Sequence, residues 1–304
     1  MTTLTGVIAA AATPLAEDFS IDLEGLVAHC AHLLDEGGCD GINLLGTTGE
    51  ATSFSIEQRT AAMRAIAASG LDLSRFMVGT GAAALDDAVA LTATAKELGY
   101  AGALLLPPFY YKGIDDESLI AYVATVIERV GASGLALYLY HFPANSGVPY
   151  PAHVVKRLRD RFPETLVGIK DSSGDVEGYA AGLARELPGF AVCPSAEASL
   201  GRAGELGFAG CISATANVTG PYAAAAWRGG DPAMAEAGLA EAVRIRAQIA
   251  RFPLVASVKQ ALALMTGRKE WARLAPPLGS LSATEAQELE AALLQTAIAP
   301  KIRR

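Results

Sequence analysis

The chain has 304 residues, half of them hydrophobic and only 18% charged, with a formal net charge of −8. This length suits one large α/β domain, and the composition is typical of a packed protein rather than a disordered one. The negative charge argues against nucleic acid or an anionic membrane as the main partner, because both bind clustered Lys and Arg. Basic residues are dispersed here, apart from Arg157, Arg159 and Arg161, which fit a solvated helix face.

The first apolar segment, residues 6–12, has no basic region before it and ends at Thr13-Pro14. We interpret it as a strand rather than a signal peptide. No stretch approaches the ~18 apolar residues that indicate a transmembrane helix. The cysteines form no CxxC pair and no metal-finger spacing; they are Cys30, Cys39, Cys193 and Cys211. Reduced, buried thiols in a cytoplasmic protein are therefore expected.

Short apolar runs recur along the chain, with amphipathic segments between them. They occupy residues 6–12, 41–46, 76–81, 101–107, 135–142, 166–171, 190–195 and 210–216. Strands that alternate with helices predict a parallel sheet, and near-continuous apolar strands predict burial on both faces. A closed (β/α)₈ TIM barrel is the simplest α/β architecture with this strand number. The alternative is a doubly wound open sheet, but Thr13-Pro14-Leu15 replaces the Gly-rich turn typical after its first strand.

Helix boundaries and the end of the chain complete the predicted architecture. Ser55-x-x-Gln58 and Ser282-x-x-Glu285 predict capping boxes at two helix starts. Residues 231–299 show a helical pattern, with no strand signal and no linker before them. We therefore predict a catalytic barrel over residues 1–230 and a helical extension over residues 231–304 that packs on it.

Lys170 is the candidate nucleophile. Of seven lysines in the chain, it alone lies on a predicted core strand, and lysine is rarely buried without a reason. The alternation of a strand places Gly168 on the same face, where it leaves room inside the barrel. Burial disfavours the ammonium form, and a neutral amine can attack a ketone to form an imine. The alternative is a lysine that pairs with an acid at the strand end, such as Asp171.

Two further polar elements lie at predicted strand ends, where barrel active sites are found. Residues 46–50, GTTGE, follow the second strand, and their two hydroxyls could hold a carboxylate or relay a proton. A plain turn is the alternative; a phosphate loop would need Lys-Ser/Thr after the glycines. Tyr140 lies near the end of the fifth strand, one strand before Lys170, and is either a general acid/base or a core aromatic residue.

Of the remaining patterns, one favours packing, and the others argue against a metal site, a serine nucleophile elbow and dinucleotide binding. The aromatic loop PPFYY at residues 107–111 favours packing or a subunit contact over catalysis. The four histidines form no HxH or HExxH pattern, and the chain has no GxSxG elbow and no dinucleotide fingerprint. We therefore expect neither a metal ion nor another cofactor.

Taken in order, the motifs resemble the dihydrodipicolinate synthase/N-acetylneuraminate lyase family of class I aldolases. They are TP (13–14), GTTGE (46–50), GTG (79–81), PPFYY (107–111), LYHFP (139–143), GIKDSSGD (168–175) and ISATANV (212–218). The helical tail with Pro276-Pro277-Leu278 also looks like the family's C-terminal region. The resemblance therefore extends along the whole chain.

The resemblance implies roles for the catalytic residues. Lys170 would form the imine with pyruvate or another 2-oxo acid, and Tyr140 would move protons. Thr48 would join Tyr140 in a relay with a loop tyrosine, Tyr110 in preference to Tyr111. In many family members that tyrosine comes from a neighbouring subunit, so the resemblance also implies a homotetramer built from dimers.

It also implies a substrate pocket. Thr47, Thr48 and backbone amides of their turn, including that of Gly49, would bind the pyruvate carboxylate, and Ile212 would line the pocket. Asn145 departs from the family pattern, because dihydrodipicolinate synthases carry an arginine there that binds the carboxylate of the second substrate. Losing a guanidinium removes a strong carboxylate anchor.

This departure leaves several functions open. The motifs around Asn145 and Lys170 look more like members that act on hydroxylated 2-oxo acids, such as 4-hydroxy-2-oxoglutarate aldolases or 2-keto-3-deoxy sugar acid aldolases. Reversible carbon–carbon cleavage that releases or adds pyruvate is therefore the leading hypothesis. The alternatives are a 2-keto-3-deoxy sugar acid dehydratase, dihydrodipicolinate synthase itself, and a non-catalytic 2-oxo acid sensor.

Overall fold

Eight parallel strands form the centre of the molecule in a computed structural model that describes residues 3–303. They are β1 (Gly6–Ala10), β2 (Gly41–Leu44), β3 (Phe76–Gly79), β4 (Gly102–Leu105), β5 (Leu137–His141), β6 (Leu166–Asp171), β7 (Ala191–Pro194) and β8 (Gly210–Ser213). Each lies within one of the predicted apolar runs. Strands of four to six residues that are almost entirely buried fit a sheet covered on both faces.

The strands pair in the order of the chain from β1 to β7, and β8 pairs with β1. Between β7 and β8, the backbone N–H of Ala209 donates to the carbonyl of Val192 at 3.0 Å. This contact brings the two ends of the sheet together. The (β/α)₈ barrel predicted from the sequence is thus confirmed.

Helices follow the strands along the chain, and the last three form the C-terminal extension. They are α1 (Leu23–Asp35), α2 (Ile56–Ala68), α3 (Leu85–Leu98), α4 (Asp116–Val130), α5 (Pro143–Ser146), α6 (Ala152–Arg161), α7 (Ala181–Glu186), α8 (Ala203–Leu206), α9 (Ala216–Arg228), α10 (Pro232–Ile249), α11 (Leu254–Thr266) and α12 (Ala283–Leu293). Both predicted capping boxes are confirmed, at Ser55 before α2 and at Ser282 before α12. In each, the serine hydroxyl accepts from the backbone three residues on, while the Gln or Glu side chain accepts from the serine N–H.

The barrel interior is filled by side chains below the level of Lys170. A β-carbon added to Gly168 would lie 2.6 Å from the ring of Tyr138. The space that the glycine leaves is therefore occupied by this ring, whose hydroxyl accepts from the N–H of Leu4 at 3.0 Å. Because Lys170 lies two residues further along β6, its side chain is placed towards the C-terminal end of the barrel.

The helices after residue 231 pack on the barrel through a core of their own. Ala12, Ala214 and Val218 contribute to this core from the barrel, next to the ends of β1 and β8. α10, α11 and α12 supply most of the rest, including Ile245, Val258 and Leu289. The extension therefore lies beside the C-terminal strand ends, although the division at residue 230 stays a prediction. None of the helices within residues 3–303 has the length and apolar character needed to cross a membrane.

Candidate active site

Lys170 is buried near the end of β6, with 3% of its surface exposed. Its Nζ lies 4.4 Å from the centroid of the Tyr140 ring on the neighbouring strand. On the other side, Lys170 pairs in register with Cys193, whose thiol has its pKa raised to about 12 by burial. Within residues 3–303 the Lys170 amine makes no hydrogen bond or ion pair. The Tyr140 ring and the Cys193 thiol on either side of the amine are both uncharged.

Asp171 does not pair with this amine. Its carboxylate accepts from the backbone N–H and the hydroxyl of Ser173, both at 3.0 Å, and so shapes the turn after β6. Burial raises the pKa of the Asp171 carboxyl, and the Ser173 hydrogen bonds oppose that rise. The alternative in which Lys170 serves only as the partner of Asp171 is therefore not the arrangement in the structure.

Tyr140 is 4% exposed, and its hydroxyl lies 3.2 Å from the hydroxyl of Thr47. The sequence-based relay placed Thr48 at this position, but Thr47 is the threonine that contacts the phenol. Leu45 and Glu50 have φ angles of 52° and 55°, so the backbone between them does not alternate as a strand does. Spacing alone could not show which of the two hydroxyls turns towards Tyr140.

The residues around Lys170 line one cavity of about 770 Å³ at the C-terminal ends of the strands. Six of the residues proposed from the sequence line it together: Thr47, Thr48, Tyr140, Asn145, Lys170 and Ile212. α10 and α11 contribute Arg246 and Val255 to the same wall. The cavity is large enough for a small organic acid and has the position expected for a barrel enzyme.

A second cavity of about 280 Å³ also has Tyr140 and Thr47 in its wall. Phe109 and Arg59 line it, and Arg59 donates to the carbonyls of Gly79 and Gly81 at 2.8 and 3.1 Å. Thr47, Tyr140 and Asn145 line both cavities, so the two cavities adjoin at these residues.

In the described part of the chain, Gly49 and Tyr110 line neither of the two cavities. Gly49 is buried, and its carbonyl accepts from the Thr13 hydroxyl at 2.9 Å, which ties the ends of β1 and β2 together. Tyr110 and Tyr111 are 73% and 70% exposed, with ring centroids 5.4 Å apart. In a single chain, then, neither loop tyrosine lines the cavity at Tyr140. Its supply by a neighbouring subunit stays a prediction.

Lys259, which sequence reasoning assigned only to a helix, is a second buried lysine. It is fully buried on α11 and forms an ion pair with Glu50, also fully buried, at the end of the GTTGE turn. Glu50 also accepts from the backbone N–H of Ala275 at 2.8 Å. Burial lowers the pKa of Lys259, and the Glu50 charge opposes that shift. The available signal was the position of Lys259 on an apolar helix face, next to Val258 and Leu262.

The fold and the site together define a (β/α)₈-barrel enzyme whose cavity lies at the C-terminal strand ends. The model of the dihydrodipicolinate synthetase family matches residues 3–296. The chain therefore belongs to this family, and it is a lyase of the class I aldolase type, as the resemblance implied.

Individual relatives agree with this assignment. The chain is 35% identical to an uncharacterized DapA-like lyase of Chloroflexus aurantiacus, over 77% of this chain and 79% of the relative. It is 30% identical to a 4-hydroxy-tetrahydrodipicolinate synthase of Kineococcus radiotolerans, over 97% and 94% of the two chains. A crystal structure of YagE, a prophage protein of the dihydrodipicolinic acid synthase family from E. coli K12 in complex with pyruvate, is similar with a TM-score of 0.86. It shares 26% identity, over 97% of this chain and 99% of that one.

Proposed function

We propose that the protein is a Schiff-base-dependent aldolase that cleaves a 4-hydroxy-2-oxo acid to pyruvate and an aldehyde, or runs the reverse condensation. The observation that carries this proposal is the Lys170 amine, which is buried beside Tyr140, has no counter-ion in the described part of the chain, and opens to a cavity. An amine without a salt-bridge partner is free to act as a nucleophile towards a carbonyl carbon.

The reaction follows from this arrangement. The amine adds to the C2 carbonyl of the substrate, water leaves, and a C=N bond forms. Tyr140 takes the proton of the 4-hydroxyl, the C3–C4 bond breaks, and its electron pair moves into the imine to give an enamine and an aldehyde. Protonation of the enamine at C3 and addition of water then release pyruvate and restore the amine.

The threonines have separate parts in this proposal. Thr47 hydrogen bonds to Tyr140 and would hold the phenol and relay its proton. Thr48, buried beside it and lining the same cavity, would bind the substrate carboxylate together with backbone amides of the turn. Ile212 would pack against the carbon chain of the substrate.

The proposal includes an assembly and a compartment. Tyr110, exposed in the single chain, would complete the relay from a neighbouring subunit in a homotetramer, entering the second cavity beside Tyr140. Tyr110→Ala should then lower turnover, whereas Tyr111→Ala should do so less. Four free, buried cysteines support a cytoplasmic location.

A substrate panel tests the reaction. We expect pyruvate release from 4-hydroxy-2-oxoglutarate or a 2-keto-3-deoxy sugar acid, and none with Lys170→Met. Loss of water without pyruvate would indicate a dehydratase instead. Imine formation with pyruvate but no turnover of any substrate would indicate a sensor and contradict the proposal.

The synthase reaction is the second candidate, because a relative covering nearly the whole chain carries that name. The position of Asn145 opposes it, since a neutral, exposed amide stands where synthases have an arginine. Turnover of pyruvate with aspartate semialdehyde decides between the two reactions.

A further inference from the structure

Arg246 is a second basic side chain in the Lys170 cavity. It extends from α10, and its side chain is 23% exposed. Within residues 3–303, Lys170 and Arg246 are the two basic side chains that line the cavity, and no Asp or Glu lines it. A cavity with this lining favours a substrate that carries negative charge.

The guanidinium of Arg246 is held by buried groups at the end of β8. Its Nη1 donates to the hydroxyls of Ser213 and Thr215 at 3.1 and 2.8 Å, and to Glu197 Oε2 at 3.3 Å. Glu197 is fully buried, and its Oε1 accepts from the hydroxyls of Ser213, Thr215 and Thr219 at 2.6 to 2.9 Å. The network fixes the orientation of the arginine before any ligand binds.

This orientation leaves one edge of the guanidinium available. Nη1 makes all of the hydrogen bonds described above, whereas Nε and Nη2 make none with the residues in the described part of the chain. Nε–H and the Nη2 group lie on the same edge, which is the edge that grips a carboxylate through two parallel hydrogen bonds. Glu197 therefore anchors the arginine without occupying this edge.

We propose that Arg246 binds a carboxylate at the far end of the substrate and thereby selects 2-oxo acids with two carboxylates. This rests on the proposed function, in which the first carboxylate lies at Thr48 and the carbonyl carbon at Lys170. Arg246 would supply the positive charge that binds this far-end carboxylate, a charge that the neutral Asn145 lacks. Because no acidic side chain of residues 3–303 lines the cavity, a far end that carries an ammonium group finds no counter-ion among them.

The test uses competition against imine trapping of pyruvate by borohydride. 2-Oxoglutarate carries the second carboxylate, 2-oxopentanoate ends in a methyl group, and 2-oxo-4-phosphonobutanoate carries a phosphonate. We expect 2-oxoglutarate to compete at least about tenfold better than 2-oxopentanoate. Arg246→Met should weaken competition by 2-oxoglutarate by about ten- to a hundredfold, the scale of hydrogen bonds to a charged group. The same variant should change competition by 2-oxopentanoate less than about twofold.

Arg246→Lys and Arg244→Met are the matched variants. The lysine keeps the charge but loses the two-pronged edge, so it should recover only part of the affinity for 2-oxoglutarate. Arg244 lies on the same helix and pairs with Glu241, so its loss should leave competition unchanged. If Arg246→Met does not fold because Glu197 is left unpaired, Glu197→Gln/Arg246→Met removes both charges and should show the same selective loss.

The outcomes separate this inference from the proposed function. If the wild type is not trapped with pyruvate, the proposed function fails, and the inference falls with it. If pyruvate is trapped but Arg246→Met weakens competition by 2-oxoglutarate and by 2-oxopentanoate equally, or weakens neither, then only the role of Arg246 is overturned. If Arg246→Met weakens competition by the phosphonate more than competition by 2-oxoglutarate, the assignment of Arg246 as a carboxylate-binding residue is overturned.

Discussion

Two buried lysines of this protein lie in opposite surroundings. Lys259 on α11 is enclosed and pairs with the buried carboxylate of Glu50, whereas Lys170 on β6 has no counter-ion among residues 3–303 and opens to a cavity. Both are connected to the GTTGE turn. Lys259 pairs with Glu50, and Lys170 lies beside Tyr140, whose hydroxyl contacts that of Thr47. Burial alone therefore does not identify a catalytic lysine. What distinguishes Lys170 is an unpaired amine that a ligand can reach.

The largest expected effect is on activity and comes from Lys170→Met. Without the amine no imine forms, so kcat should fall by at least about 10⁴-fold, the scale seen when a nucleophile is removed. The free energy of unfolding should not fall, because an apolar side chain replaces an unpaired buried amine. Pyruvate release and urea unfolding measure the two quantities. Residual turnover at a tenth of the wild-type rate would contradict the assigned role.

Tyr140→Phe should give the next largest effect on catalysis. The ring beside Lys170 is kept, but the hydroxyl that contacts Thr47 is lost, so kcat should drop by about 10²–10⁴-fold, as for loss of a general acid/base. Trapping of pyruvate on Lys170 should persist at a lower rate, which rapid quenching with borohydride measures. Unchanged kcat would remove the phenol from the mechanism.

Lys259→Met should affect stability rather than chemistry. Removing one partner of a buried ion pair leaves Glu50 without its counter-charge, which costs about 3–5 kcal/mol. The double variant Glu50→Gln/Lys259→Met should regain part of this loss, because no buried charge is left unpaired. Urea unfolding of the single and double variants measures the cycle. A single variant as stable as the wild type would show that the pair does not hold α11 to the turn.

Removal of either threonine hydroxyl should give the smallest effect. Thr47→Val removes the contact to Tyr140 and should lower kcat about tenfold, near the upper end for one hydrogen bond. Thr48→Val should act mainly on the KM for pyruvate. Steady-state kinetics of both variants separate the two roles. The reverse pattern would restore Thr48 as the partner of Tyr140.

The sequence was sufficient to predict the barrel, because the apolar runs, their spacing and the helix caps are local signals. It also placed Lys170 and Tyr140 at one end of the barrel, since strand ends meet at one face, and the family resemblance added Asn145 and Ile212 to the same cavity. It did not distinguish Thr47 from Thr48, because a turn with positive φ angles breaks the alternation of a strand.

Contacts between distant segments were beyond local patterns. Lys259 reaches Glu50 across 209 positions of the chain, and Arg246 reaches Thr215 across 31. Both come from helices of the C-terminal extension, whose packing on the barrel the sequence predicted only in outline. The hydrogen bond from the Thr13 hydroxyl to the Gly49 carbonyl, across 36 positions, was likewise beyond local patterns, and the role of the Gly49 amide in substrate binding stays a prediction.

The most direct test of the contrast between the two lysines is borohydride reduction in the presence of pyruvate, followed by peptide mass mapping. The pyruvate adduct should be found on Lys170 in the wild type, with Lys259 unmodified. The same adduct should be absent in Lys170→Met and present in Lys259→Met molecules that have folded. An adduct on Lys259 or another lysine, or an adduct that survives in Lys170→Met, would contradict the assignment of Lys170 as the reactive amine.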